Sequence, residues 1–150
     1  MSGKYDRRMA TTGEDATLAQ LRELAAFAAV LEAPDFELGH WVPMEQRPDG
    51  VYTMPWFEFS AAARELLRAM PVSPQVRWMD WSQTDEAKRL LADPAAVAVA
   101  TAEQLVALAT TIVRGDRFSE GTVAHFHETG HLRAMARRAA TLTAHSESGA

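Results

Sequence analysis

Residues 113–138, VRGDRFSEGTVAHFHETGHLRAMARR, support two different predictions for the last third of the chain. Within it, His127, Glu128 and His131 satisfy the H-E-x-x-H pattern of zinc metallopeptidases. On one continuous helix this pattern places two imidazoles on the same face and positions the glutamate as a general base. The alternative is a helix that ends near Gly130 and is followed by a second helix. The two interpretations predict different faces for the apolar residues on either side of Gly130.

The apolar residues change face at Gly130. At about 100° per residue, with Val123 set at zero, Phe126 lies at about 300° and His127 at about 40°. A helix continued through Gly130 would place the next apolar residues at roughly 120° to 220°, on the opposite side. These residues are Leu132, Met135, Ala136 and Ala139. One straight helix cannot bury both halves in the same core, so the sequence predicts a chain reversal at Gly130.

A zinc site here also lacks an obvious third protein ligand. Downstream of His131 only His145 and Glu147 remain, and both lie in a predicted disordered tail. On a helix, His125 points away from His127 by about 160°. We therefore expect no bound metal and no cofactor, a half-buried His127 and the other histidines at the surface. A zinc-dependent hydrolase with His127 and His131 as ligands and Glu128 as base stays the alternative.

Composition limits the other functions. The chain has 150 residues, 47% of them hydrophobic, which suits one domain with one core. It contains no cysteine, so disulfides, thiolate metal sites and a cysteine nucleophile are excluded. The net charge of −5 gives no general support for nucleic-acid binding. No segment has the ~20 apolar residues of a membrane span. We expect a bacterial, cytoplasmic protein without a membrane partner.

The predicted fold is a mostly α, single-domain bundle of about five helices with a short irregular β-hairpin or extended aromatic segment. Residues 17–143 are expected to form the domain, between a disordered leader (1–16) and a disordered tail (144–150). The capping-box spacing of Thr17 and Gln20 predicts a helix start at Thr17. A turn at residues 48–50 predicts the hairpin, with residues 51–54 as its better strand.

In the last third of the chain, Thr101 and Gln104 again have capping-box spacing. Gly115 is expected to end that helix in a left-handed conformation. Ser119 is expected to cap the next helix, with Phe118 and Val123 spaced as a hydrophobic staple.

The chain resembles a bacterial family of unknown function, number 6508. The similarity is carried by residues 113–121 (VRGDRFSEG), by the Glu-Thr-Gly at 128–130, by the RWMDW loop at 77–81 and by MPWFEFS at 54–60. It spans about residues 36 to 142. The resemblance implies no activity. It does imply that His127 and His131 depart from the family pattern, as expected of a coincidental zinc motif.

The segment from Arg114 to Glu120 is the first candidate binding site. Arg114 and Arg117 offer forked donors to an anion, beside Asp116, Glu120 and the start of a helix. The alternative is an ion-pair network in which either arginine pairs with Asp116, Glu120 or Glu128 to hold the turn together.

The second candidate is the aromatic loop, where Trp78 and Trp81 line a groove or plug the end of the core. The sequence contains few motifs that indicate catalysis: it has no nucleophile elbow, P-loop or dinucleotide-binding glycines. Enzyme activity stays undecided, and binding is favoured. We expect a binding or regulatory module for an unidentified protein or small anionic ligand, using Arg114, Asp116, Arg117, Glu120, Glu128, Trp78 and Trp81.

A third interpretation is nucleic-acid binding through Arg133, Arg137 and Arg138 of the last helix. Three arginines on a solvated helix face are the more common explanation, and the net charge of −5 does not favour binding to a nucleic acid.

Overall fold

Nine helices and one two-stranded hairpin make up the described part of the chain in the computed structural model. That part is the backbone of residues 2–148 and the side chains of residues 13 and 15–144. The helices are α1 (Ser2–Ala25), α2 (Ala28–Glu32), α3 (Ala61–Ala69), α4 (Trp78–Trp81), α5 (Asp85–Ala92), α6 (Pro94–Val97), α7 (Ala102–Phe118), α8 (Thr122–Glu128) and α9 (His131–Ser148). The predicted mostly α fold class is confirmed, and the short α2, α4 and α6 are additions to the expected bundle.

The core lies where α1, α7 and α9 pack together, with α3, α5 and α8 closing its sides. Apolar residues that recur at helical spacing are buried in this core, as expected for amphipathic helices. The largest apolar side chains of this core are Leu21, Leu24, Leu66, Leu90, Leu105, Leu108, Ile112, Val123, Leu132 and Met135. None of the described helices is both long and apolar enough to cross a membrane.

The helix at the N-terminus begins before Thr17, so the predicted start there is wrong. Thr17 lies inside α1, where its hydroxyl donates to the Gly13 carbonyl oxygen at 3.0 Å instead of capping. A serine or threonine hydroxyl often bonds back to the preceding turn in this way, which a capping pattern does not reveal. The predicted domain limits at residues 17 and 143 stay predictions. Most side chains of the proposed leader and tail lie outside the described residues.

The hairpin is built from different residues than expected. Strand β1 (Gly39–Val42) pairs antiparallel with β2 (Trp56–Phe59), and Trp41 lies opposite Phe57. Residues 51–54 form no strand, since Tyr52 makes only an isolated bridge to Gln46. The predicted turn at residues 48–50 is confirmed by the bond from the Gly50 N–H to the Arg47 carbonyl oxygen. The prediction placed the strand beside the turn, whereas the pairing occurs where Phe57 and Phe59 reach the core.

The chain reverses at Gly130, as predicted. Gly130 has φ +90°, in the left-handed region that favours glycine, and it separates α8 from α9. Val123 before the break and Leu132 and Met135 after it are all buried in the same core. The helix that a zinc metallopeptidase needs is therefore interrupted between its two histidines.

Candidate functional site

The candidate site at Arg114–Glu120 is the end of a helix and not an interhelical turn. Helix α7 continues through Gly115, which has no positive φ, and ends at Phe118 with Ser119 as its C-cap. Gly121, with φ +100°, precedes α8 as its N-cap. The predicted roles of Gly115 as helix end and Ser119 as cap are wrong because the connection needs only residues 119–121.

Both acidic residues of this segment bind backbone N–H groups. Asp116 Oδ1 accepts from the N–H of Gly121 at 3.2 Å and of Val123 at 3.1 Å, which replaces a side-chain N-cap on α8. Glu120 Oε1 accepts from the Phe57 N–H at 2.8 Å, on the open side of strand β2. The two carboxylates therefore fix the geometry of the connection and of the hairpin.

The arginines of the segment do not form the alternative ion-pair network. Among the described residues, the side chains of Arg114 and Arg117 make no ion pair or hydrogen bond with Asp116, Glu120 or Glu128. Arg117 is exposed and Arg114 half-buried. Glu128 is exposed at the end of α8 and forms no ion pair with another described residue. Within the described structure, the positive charge at the end of α7 therefore has no carboxylate partner.

The aromatic segment is the short helix α4, not a loop, and it meets the end of α7. The ring centroids of Trp78 and Phe118 are 5.8 Å apart, with the rings tilted by 37°. Phe118 is 75% exposed, so it does not staple α8, and Val123 is buried without it. The structure therefore brings together two segments that the sequence could only propose separately.

Trp81 is an anchor between helices. Its indole N–H donates to Glu86 Oε2 at 2.9 Å, and Gln104 Nε2 donates to Glu86 Oε1 at 2.7 Å. These hydrogen bonds, the one from Gln104 first, hold the pKa of Glu86 below its ordinary value. A cavity of about 650 Å³ lies beside them, lined also by Arg77, Asp80 and Glu103. Trp81 therefore ties α4 to the start of α5, and Glu86 ties the start of α5 to the start of α7.

Sequence reasoning missed Trp41 and Phe118 as surface residues beside this site. Trp41 packs edge to face on Phe57 at 5.4 Å and is nevertheless 50% exposed. A Cβ added to Gly121 would lie 2.8 Å from the Trp41 ring, so the glycine permits this close approach. No local pattern could have marked either residue, because their exposure depends on where the hairpin and α7 end.

Among the described histidines, one differs from expectation, and the side chain of His145 lies outside the described residues. His131 is buried, with Nε2 2.9 Å from the Leu90 carbonyl oxygen and Nδ1 2.6 Å from Thr129 Oγ1. The prediction of a surface His131 is wrong. Since a carbonyl only accepts, Nε2 carries a proton, and neither ring nitrogen is left for a metal in this arrangement. His127 is half-buried as predicted, and its buried Nδ1 has no hydrogen-bond partner in the described part of the chain.

The arginines of the last helix have separate contacts. Arg137 forms an ion pair with Glu32, and Arg138 Nε donates to the Ala100 carbonyl oxygen at 2.8 Å. Arg133 is exposed and forms no ion pair among the described residues. Within the same part of the chain, no cluster of three or more potential metal ligands is found.

Comparison with known proteins gives one match. The model of a family of unknown function, DUF6508, matches residues 16–145, which is most of the chain. No curated protein and no solved structure matches the chain. The matched range includes Trp41, the α4 aromatics and the whole α7–α8 connection. The chain therefore belongs to the DUF6508 family of unknown function.

Proposed function

We propose that this chain is a binding module that docks a protein segment carrying apolar and acidic side chains. The docking site is the Phe118 surface, which we define as Trp41, Trp78, Met79, Arg117 and Phe118. The observation that carries the proposal is the exposed Phe118 ring, lying against Trp78 at 5.8 Å. Exposed aromatic side chains of this kind are enriched at protein interfaces.

The apolar part of this surface comes from three elements. Phe118 ends α7, Trp78 and the 55% exposed Met79 belong to α4, and Trp41 belongs to β1. The bond from Phe57 to Glu120 holds the hairpin beside the end of α7. Rings on rigid elements lose little conformational freedom on binding, which favours their use as anchors.

The charge beside the aromatic rings favours an acidic partner. Arg117 is exposed, and its guanidinium has no partner among the described side chains. Asp116 and Glu120, the nearest acids in sequence, accept from backbone N–H groups. A carboxylate on the partner would complete a bidentate pair with Arg117, and its apolar residues would cover Phe118. A cytoplasmic location is part of this proposal and rests on the sequence.

The test is site-specific photocrosslinking in cells that express the protein. A photoreactive phenylalanine analogue replaces Phe118 or, as control, Val99, which is 74% exposed outside the Phe118 surface. We expect adducts with another protein from position 118 that disappear in an Arg117→Glu background. Equal adducts from both positions would contradict the proposal, and adducts between two copies of this chain would replace it with self-association.

The partner recovered in this way is then titrated with the purified protein. Phe118→Ala should weaken binding by about 2 kcal/mol or more, as truncation of a central aromatic anchor does. Its melting temperature should stay unchanged, because the exposed ring leaves no cavity in the core. If Phe118→Ala lowered the free energy of unfolding as much as it weakened binding, Phe118 would instead stabilise the fold.

A further inference from the structure

We propose that a second site, the groove between α6 and α9, binds a small ligand bearing a phosphate monoester. The groove has a volume of about 420 Å³, within the range of small-molecule sites. One wall includes Arg133, Arg137 and Arg138 of α9. The other includes the small residues Ala95 of α6 and Ala98, the C-cap of α6. This site is distinct from the Phe118 surface and does not depend on the function proposed for it.

The charge of the groove matches that of a phosphate monoester. In a chain with net charge −5, no aspartate or glutamate is among the residues that line it in the described structure. Glu32, which pairs with Arg137, is the neighbouring counter-charge. Among the described residues, Arg133 and Arg138 have no acidic partner, and a phosphate monoester carries about −1.5 to −2 at neutral pH. An uncompensated pair of arginines therefore suits a dianionic group.

Two of the arginines are held in position before any ligand arrives. Arg138 is half-buried and donates from Nε to the Ala100 carbonyl oxygen at 2.8 Å. Arg137 likewise bonds Glu32 through Nε. The terminal nitrogens of both guanidinium groups make no bond to another described residue, and these are the atoms that bind phosphate oxygens in a fork.

The start of α9 adds donors to the same groove. Thr129 and Gly130 line it, and Arg133 Nη2 lies 3.6 Å from the point that a Cβ on Gly130 would occupy. The Arg133 guanidinium therefore lies over the helix start, where the first backbone N–H groups have no acceptor within the helix. Three arginines line one groove, and these N–H groups lie at one end of it, which together suit an anion. The limited volume favours a small phosphorylated ligand over a polyanion.

The test is calorimetric titration with ribose 5-phosphate, with ribose as the uncharged control and inorganic phosphate as a third ligand. We expect ribose 5-phosphate to bind, ribose not to bind, and inorganic phosphate to bind more weakly. Among the described residues, the Arg133 side chain makes no ion pair or hydrogen bond, and Arg133→Gln should weaken ribose 5-phosphate binding tenfold or more because a charge-assisted pair with the phosphate is lost. Arg64→Gln, an exposed arginine of α3, is the matched control and should bind normally.

Glu32→Gln supplies an independent readout. It removes the negative charge beside Arg137 but keeps an amide oxygen that can accept from Nε, so it should strengthen binding, whereas a merely structural ion pair would leave the affinity unchanged. The proposal is overturned if ribose 5-phosphate fails to bind at millimolar concentration, or if Arg64→Gln weakens binding as much as Arg133→Gln. It is also overturned if the protein binds heparin but not ribose 5-phosphate, and Arg133→Gln abolishes the binding to heparin. A surface for polyanions would then explain the arginines.

Discussion

At the scale of single residues, the histidines illustrate how burial decides chemistry. His127 and His131 share a zinc-binding spacing, yet they belong to different helices and different surroundings. Phe36 packs edge to face on His127 at 5.5 Å, and the buried Nδ1 of His127 has no hydrogen-bond partner among the described residues. Burial first, and then the positive charge of Arg133, lowers the pKa of His127, while Glu128 acts in the opposite direction.

The lowered pKa of His127 predicts a pH dependence of stability. The folded chain favours the neutral ring, so the unfolded chain binds more protons as the pH falls below the ordinary pKa of 6.5. The contribution of His127 is therefore complete above that pH and is lost progressively below it. Urea unfolding of the wild type and His127→Gln between about pH 7.5 and 5.5 should give a shallower decrease for the variant. The exposed His125→Gln is the control, and an equal slope in all three proteins would contradict the prediction.

At the scale of elements, the α7–α8 connection shows that a helix can be capped from the preceding helix. Asp116 lies on α7, before the connection, and yet accepts from two N–H groups at the start of α8. Ser119 has the residue type of a cap, but it ends α7 instead. Capping preferences predict which residue types can cap a helix. Which residue accepts from the first N–H groups of α8 depends on how the chain turns at Gly121.

Removing the Asp116 carboxylate should destabilise the domain. Asp116→Ala leaves two N–H donors of α8 without their acceptor and should cost about 1–2 kcal/mol of unfolding free energy. Asp116→Asn retains an amide oxygen and should recover most of that loss. The measurement is chemical unfolding of the three proteins. An alanine variant as stable as the wild type would show that Asp116 is available to bind a ligand, as the sequence first suggested.

At the scale of the whole molecule, His131 joins elements that are distant in the sequence. Its ring bonds the Leu90 carbonyl oxygen at the end of α5 and the Thr129 hydroxyl beside Gly130. It also packs edge to face on Phe126 at 5.0 Å. A buried imidazole with both nitrogens bonded therefore fixes α5 against the break between α8 and α9.

His131→Ala should be among the more damaging substitutions. It removes a buried ring and leaves the Leu90 carbonyl oxygen without that donor, at an expected cost of about 3 kcal/mol. His131→Gln, which keeps a polar group that can reach one partner, should lose less. Unfolding by urea checks both, with His125→Ala as the exposed control. A small effect of His131→Ala would instead reopen a functional role for the ring.

The helical class, the break at Gly130 and the capping box at Thr101 could all be predicted from local patterns. Each of these depends on local spacing and on backbone preferences within a few residues. In contrast, the exposure of Phe118, the bonds from Asp116 and Glu120 to backbone groups and the burial of His131 could be seen only in the folded chain. Those outcomes depend on contacts between distant segments, such as Glu120 with Phe57 and His131 with Leu90. Local patterns cannot specify such contacts, because the free energy that selects them comes from packing the whole chain.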